Sequence, residues 1–419
     1  MSERNEMMLG PFRALDLTDQ DGLSLCGKIL ADLGADVIKV EKPGGDQARN
    51  IGPFYHDIPH PEKSLSWFAY NLNKRGITLD IETADGRELF KRLVKTADFV
   101  IESFPPGFMD KLGLGYPSLS EINPRIIMTS ITPFGQAGPY KDFKACDIVS
   151  WAMGGLMYTT GQPDRPPVRI SSPQASLNAG LAAAMATMVA HYYRETTGEG
   201  QHVDVSTQAS VALTTANFIP LWELSETNLR RVGSYLIGRT QRARQRTVYP
   251  CKDGQVAFFI LGGAIGAKTN KAITEWMDSE GMAPDYMKKM DWDEFDMGSQ
   301  EQETQDRMEE AVANFFMTHT KAELYEGALK RRIMLSPVCN AKDTVDSIQL
   351  QSRDFWLEVE HPELNSTITY PGFFGKASET PCRLRYQPPL IGEHNQQIYG
   401  EELGLTREEI VALKEAGII

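Results

Sequence analysis

Through the first third of the chain, short apolar runs alternate with stretches in which apolar residues recur every three or four positions. The runs at 14–18, 36–41, 76–81, 98–103 and 125–131 predict strands. Between them, Leu25, Ile29, Leu30 and Leu33 in the segment 22–33 fall at helical spacing, as do Leu89, Phe90 and Leu93 in 85–96. Strand–helix alternation at this pitch predicts βαβ units and a mostly parallel sheet. Binding sites in such sheets lie at the carboxyl ends of the strands. The segment 176–195, rich in Ala, Leu and Met, predicts a long helix.

The pattern changes near residue 230. Between 230 and 246 stand six arginines, Arg230, Arg231, Arg239, Arg242, Arg244 and Arg246, the one strongly basic stretch of the chain. Lys252-Asp253-Gly254 predicts a turn and 255–261 a strand. Helices with acidic faces follow to about 332, which predicts a smaller second domain. From about 381 the chain returns to loop and helix.

The 419 residues suffice for two or three domains. A formal net charge of -13 argues against a nucleic-acid or membrane-surface role, since phosphate-rich partners attract basic faces. It leaves room for a local basic pocket. Cys26, Cys146, Cys251, Cys339 and Cys382 are scattered, without a CxxC pair, so neither a disulfide framework nor a metal site is expected. The first eight residues lack an apolar core and no run of 18 apolar residues occurs, which predicts a cytoplasmic chain without a signal peptide or membrane span.

No phosphate-binding loop, nucleophile elbow or HExxH helix is present. The turn Thr18-Asp19-Gln20-Asp21-Gly22 lacks the glycine pattern of a dinucleotide site. The histidines do not cluster and read as packing or surface residues. Asp147 suits a helix cap at least as well as chemistry. The arginine cluster reads either as a solvated face or as a pocket for acids or phosphates. Gly262-Gly263 fits a turn or a backbone anion nest.

Seven separated motifs carry a resemblance over nearly the whole chain. They are Leu33-Gly34-Ala35-Asp36-Val37-Ile38-Lys39-Val40-Glu41-Lys42-Pro43-Gly44, Asn73-Lys74-Arg75-Gly76-Ile77-Thr78-Leu79, Glu102-Ser103-Phe104-Pro105-Pro106-Gly107, Asn123-Pro124-Arg125-Ile126-Ile127, Gly154-Gly155-Leu156-Met157 with Thr160-Gly161, Thr197-Gly198-Glu199-Gly200-Gln201, and Pro389-Leu390-Ile391-Gly392-Glu393-His394. In this order they resemble the family III CoA-transferases. The resemblance implies an α/β fold: a Rossmann-like large domain with a parallel sheet, a smaller α+β domain, and an interlocked dimer. It places the large domain at 1–215, the small domain at 240–335, and a linker and returning C-terminal segment at 340–419.

Carried over residue by residue, coenzyme A would be met by Gln20 and Asp21, Lys42, Leu79, Ser103 and Phe104, Lys111 and Leu112, and Lys144. The lysines suit phosphates, and Phe104 and Leu112 suit the apolar parts. Ser103 stands where the family commonly has Asn. No tightly bound cofactor or metal is implied; coenzyme A and its thioesters are substrates.

Active members of the family work through an aspartate. Its carboxylate attacks the donor thioester, and the CoA thiolate leaves behind a mixed anhydride. The thiolate then forms an aspartyl-CoA thioester, and the acceptor acid runs the steps in reverse. Ungapped counting from the flanking motifs puts that aspartate at Ser176, and no Asp or Glu lies between Asp164 and Glu195. The family's glycine-rich lid corresponds to 239–246, which is arginine-rich here. Asp147 is the nearest acid, at a different family position. The racemase branch needs a His and an Asp where this chain has Cys146 and Ser176.

The resemblance therefore implies a subunit inactive by itself, paired with a homologous catalytic subunit. The donor would be succinyl-CoA and the acceptor a substituted succinate, such as (R)-benzylsuccinate in anaerobic toluene degradation. An active homomer using another acid, and a non-catalytic acyl-CoA-binding protein, are the alternatives.

Overall fold

The computed structural model describes residues 6–19, 22–236 and 243–419. It divides into two compact units. The first comprises Met1–Met157, Arg169–Asn228 and Ser352–Ile419, and the second Tyr158–Val168 and Leu229–Gln351.

A six-stranded sheet forms the first unit's centre: β1 (Arg13–Leu17), β2 (Asp36–Glu41), β3 (Arg75–Thr78), β4 (Phe99–Glu102), β5 (Ile127–Thr132) and β6 (His202–Ser206). Their order is β3-β2-β1-β4-β5-β6, and every pairing is parallel. This is the doubly wound order, in which the direction of succession reverses between β1 and β4. Alternate residues of each strand face opposite layers. Leu15, Leu17, Ile38 and Val40 pack with Leu89, Phe90 and Leu93 of the helix Ala84–Val94. Ala14, Val37, Phe99 and Ile101 pack on the other face with Cys26, Leu30, Ala179 and Ala183.

Local chemistry sets the helix ends. The Thr83 hydroxyl accepts from Gly86 N and starts the helix Ala84–Val94. The helix Gln174–Thr197 buries small residues, among them Ala175, Ala179 and Ala183, and stops at Gly198, whose φ of 82° favours glycine. Gly180 on its buried face meets the carbonyl of Gly22, where a Cβ would come within 3.1 Å.

Strand β2 is buried at every position although three of its six residues are charged. Each charge is paired. Asp36 takes Arg75, Glu41 takes Arg49 at 2.6 Å, and Lys39 lies 3.1 Å from Asp46. Lys74 reaches Asp16 at 2.8 Å and also donates to Ser24 O and Asn71 Oδ1. Burial, reinforced by Lys39, pushes the Lys74 ammonium down to about 8 despite Asp16. Burial opposes ionisation of Asp16, but Lys74 and Lys39 prevail and hold it below the usual carboxylate range.

The C-terminal motif has a structural task. Strand β3 is at the sheet edge, where unpaired backbone would be exposed. His394 Nδ1 accepts from Gly76 N, His394 N donates to Gly76 O, and Asn395 Oδ1 accepts from Thr78 N. Arg49 and Trp67 both donate to Pro389 O. These bonds occupy the edge and tie the last chain segment to the first unit.

The second unit contains the hairpin β7 (Tyr235–Leu236) and β8 (Gln245–Arg246). It also holds an antiparallel sheet of β9 (Val248–Cys251), β10 (Gly254–Phe258) and β11 (Leu335–Pro337). Its core gathers Tyr249, Phe258, Trp276, Phe315 and Phe316. A final hairpin, β12 (Trp356–His361) with β13 (Ser366–Pro371), returns to the first unit and packs Val359 and Tyr370 on Trp67 and Phe68.

Candidate active site

A cavity of about 230 Å³ opens at the carboxyl ends of β1 to β4, the location expected from the strand order. Leu17 ends β1, Val40 and Glu41 end β2, Leu79 follows β3, and Phe104 follows β4; Phe108 closes it from the helix Phe108–Lys111. The rings of Phe104 and Phe108 lie 4.8 Å apart. The volume is below the roughly 300–1,000 Å³ of pockets that enclose a drug-sized ligand. It therefore suits one part of a long ligand, with the rest outside.

Asp19, Glu41, Lys42, Asp46 and Glu82 also line the cavity. Most of this acidity is neutralised. Arg49 holds both oxygens of Glu41, and Lys39 holds Asp46. At the rim, Lys42 is paired with Glu82, and its hydrogen bond to that carboxylate raises the lysine's pKa. Both side chains are about half exposed, so the pair is weak and a phosphate can compete for the lysine. Burial pushes the Asp19 carboxyl up, against a hydrogen bond from the Ser103 hydroxyl at 2.8 Å.

Behind the cavity, Glu102 accepts from Phe104 N at 2.7 Å and so fixes the start of the Phe104 loop. Burial pushes its carboxyl up to about 7, with Ser130 and Phe104 N opposing the rise and Asp19 adding to it. The folded chain thus binds an extra proton between about pH 4.5 and 7. Glu102 adds stability below that window, and the contribution is lost as pH rises through about 7. Glu102→Gln keeps an acceptor and no charge. Thermal unfolding between pH 5 and 8 should show the variant gaining on the parent by up to about 3 kcal/mol, with the gain concentrated below pH 7.5. A pH-independent difference would show that Glu102 does not titrate in this range.

The structure therefore gathers Lys42, Leu79 and Phe104 around one cavity, with Ser103 bonded to its wall. Gln20 and Asp21 lie outside the described residues. Lys111 is exposed on the helix that supplies Phe108, and Leu112 packs against the core; neither lines the cavity. Lys144 is exposed in the loop before the helix Asp147–Met153 and does not line it either. Sequence reasoning passed over Asp19, Asp46, Glu82 and Phe108. The signal available was position: all follow a predicted strand within a few residues, or stand in the loop after one.

Ser176 is buried in the first turn of the helix Gln174–Thr197. Pro173 at the N-cap offers no side-chain acceptor. Asp147 supplies one instead, its Oδ1 accepting from Ser176 N at 3.0 Å. The aspartate is thus a helix cap delivered from the neighbouring helix. A Cβ on Gly22 would lie 3.1 Å from Ser176 Cβ. Asp19, on the cavity wall, is three residues from Gly22, so their Cα atoms are at most about 11 Å apart. The Asp147–Ser176 pair and the cavity share the turn after β1.

Residues 10–395 match the model of CoA-transferase family III. The chain belongs to this family. It is 34% identical over 419 residues to the succinyl-CoA:(R)-benzylsuccinate CoA-transferase subunit BbsE of Thauera aromatica, covering 97% of each chain. It is 30% identical to the succinyl-CoA–D-citramalate CoA-transferase of Chloroflexus aurantiacus, covering 100% of each. The crystal structure of a CAIB/BAIF family protein from Brucella suis superposes with a TM-score of 0.81 at 27% identity, covering 93% of this chain and 98% of that one. Among the described residues of this family III chain, no helix is long and apolar enough to cross a membrane.

Proposed function

We propose that this chain is the subunit of a heteromeric CoA-transferase that lacks the carboxylate nucleophile. Its homologous partner would carry the aspartate, and the pair would move CoA from succinyl-CoA to a substituted succinate such as (R)-benzylsuccinate. The observation that carries the reading is the first turn of the helix Gln174–Thr197. It offers Ser176 where the family's aspartate is expected, and the nearest acid is engaged as the cap of that helix. The full-length similarity to a relative that is itself a subunit supports the same reading. A serine ester would hold the acyl group at too low an energy to pass it on, whereas a carboxylate forms an anhydride or thioester that reacts further.

Unpartnered apolar surface also favours a partner. In the helix Phe218–Ser225 no residue is buried, although it carries Ile219, Trp222 and Leu224. Leu181, Met185 and Val189, four residues apart on one face of the long helix, are all more than half exposed.

In this reading the cavity takes the apolar and ring-bearing part of coenzyme A between Leu79 and Phe104, and Lys42 leaves Glu82 for a phosphate. Lys42→Ala should weaken CoA binding to the purified chain about ten-fold, measured by calorimetry. An unchanged affinity would remove Lys42 from the site. The subunit reading is tested by assaying the chain alone and after co-expression with an aspartate-bearing homologue. Transfer should require both.

One observation favours a second reading, an active homomer. The Asp147 carboxylate lies next to position 176, close enough to take over as nucleophile. Asp147→Asn discriminates: it preserves the cap acceptor and leaves the heteromer active, whereas a homomer working through Asp147 would lose turnover.

A further inference from the structure

The last residue of β4 is a buried acid without a counter-ion. Asp16, Asp36 and Glu41, buried in the neighbouring strands, each have a lysine or arginine partner. Glu102 is only 3% exposed and has no ion-pair partner among the described residues. Neutral groups meet its carboxyl instead. Phe104 N donates to it at 2.7 Å, and so does the hydroxyl of Ser130, which stands opposite it in the β4–β5 pairing. Ser130 Oγ lies 2.9 Å from Nε2 of His202, an exposed residue of β6. A hydrogen-bonded path thus runs from solvent through His202 and Ser130 to the buried acid.

The charges around this path leave Glu102 uncompensated. Asp19 after β1 and Asp110 on the helix Phe108–Lys111 both favour its neutral form. Lys39 is held by Asp46 and Asp16, and Lys42 by Glu82. Burial keeps His202 below the usual histidine range, against Asp204 and Asp110, so it is mostly uncharged near neutral pH. The acid is also built into the cavity wall. Ser103, the next residue, accepts from Asp19 N at 3.1 Å and donates to Asp19 Oδ1 at 2.8 Å. The residue after that is Phe104, whose ring lines the cavity together with Asp19.

We propose that the chain takes up a proton on Glu102 when it binds coenzyme A, which links binding to pH. This rests on the reading that the cavity takes part of coenzyme A. The ligand brings phosphate charge and displaces water, and both disfavour a carboxylate just behind the wall. The path balances the transfer. A proton enters at the other ring nitrogen of His202, Nε2 passes its proton to Ser130, and Ser130 passes its own to Glu102. The neutral carboxyl still accepts from Phe104 N, so the Phe104 loop keeps its anchor. The carboxyl of the free chain titrates at about 7, and in the complex its value is higher. The added affinity is therefore full below the free value and is lost as pH rises through the bound one.

The test is calorimetry of coenzyme A with the full-length chain between pH 6.5 and 8.5, in buffers of different ionisation enthalpy, which counts protons. A rise of about one pH unit on binding gives uptake of about half a proton at pH 7.5, and affinity about five-fold lower at pH 8.5 than at 6.5. The ligand's terminal phosphate itself titrates near pH 6, so proton counts are compared between variants with the same ligand. Glu102→Gln keeps an acceptor for Phe104 N and should lose that uptake and the pH dependence that goes with it. Ser130→Ala removes a donor to the carboxylate and should move the uptake to higher pH. Equal proton counts in the parent and Glu102→Gln overturn the proposal, assigning any uptake to Asp19 or the ligand, while the cavity reading stands. An unmoved pH window in Ser130→Ala also overturns it. No binding of coenzyme A by the parent at any pH overturns the cavity reading and this proposal with it.

Discussion

Assayed alone with succinyl-CoA and an acceptor acid, the chain is expected to transfer CoA at no more than about 10⁻³ of the rate of the co-expressed pair, because loss of a covalent nucleophile costs other enzymes about 10⁴ or more in kcat. The chemistry requires two exchanges at one carboxylate. The thioester C–S bond breaks as the anhydride forms; the thiolate then displaces the donor acid and leaves an enzyme thioester. The acceptor carboxylate attacks that thioester, and the released thiolate finally takes the acceptor's acyl group and restores the enzyme carboxylate. Ser176 cannot carry this cycle. Chromatographic separation of the CoA thioesters over time, for each chain and for the pair, reads the result. Vigorous turnover by the chain alone that disappears in Asp147→Asn would replace the heteromer with the homomer.

Ser176→Asp should not restore that activity; a rate below about one hundredth of an ordinary homologue's is expected, since a misplacement of about 1 Å already costs some 10²-fold. Position 176 is buried, so a new charge there must be desolvated. Its own amide donates to Asp147 Oδ1 at 3.0 Å, which puts an existing carboxylate beside the new one. Two carboxylates this close cannot both ionise freely, and the protonated one is no nucleophile. The Ser176→Asp/Asp147→Asn double variant keeps an acceptor for the helix and removes the repulsion. It should form more aspartyl-CoA adduct, by mass spectrometry, than Ser176→Asp alone. Full transfer would still be missing in the proposed reading, where the family's glycine-rich lid would fall on the arginine-rich sequence 239–246, of which 239–242 lie outside the described residues. Bulky side chains there shield an intermediate from water less closely than a glycine loop. Ordinary activity in Ser176→Asp alone would show that neither Asp147 nor the arginine segment stands in the way.

The apolar runs of the first third were legible as strands because parallel strands covered on both faces are apolar along their length. The five predicted runs match β1 to β5 within a few residues. Strand β6 was not legible. His202–Ser206 has only two apolar residues, and it is a strand because β5 offers it a partner. The hairpin β12–β13 escaped for a similar reason: its apolar positions gain meaning only against Trp67 and Phe68, roughly 300 residues earlier in the chain. The stretch Tyr158–Val168 gave no hint that it joins the second unit.

By itself the sequence determined the family, the parallel α/β architecture and the absence of an acid between 165 and 194, because ordered motifs and residue identities survive without coordinates. It also placed Lys42, Leu79 and Phe104 just after strands, where parallel sheets bind ligands. Tertiary structure alone decided what the charges do. Lys39, Asp36 and Glu41 stand in a run read only as a strand, and the fold buries each with a partner brought from another segment. Lys42 faces the cavity, whereas Lys111 and Lys144 do not line it. Asp147 became the cap of a helix that begins 27 residues later. A charge's role depends on its distance from other charges and from water, and those distances exist only once the chain has folded.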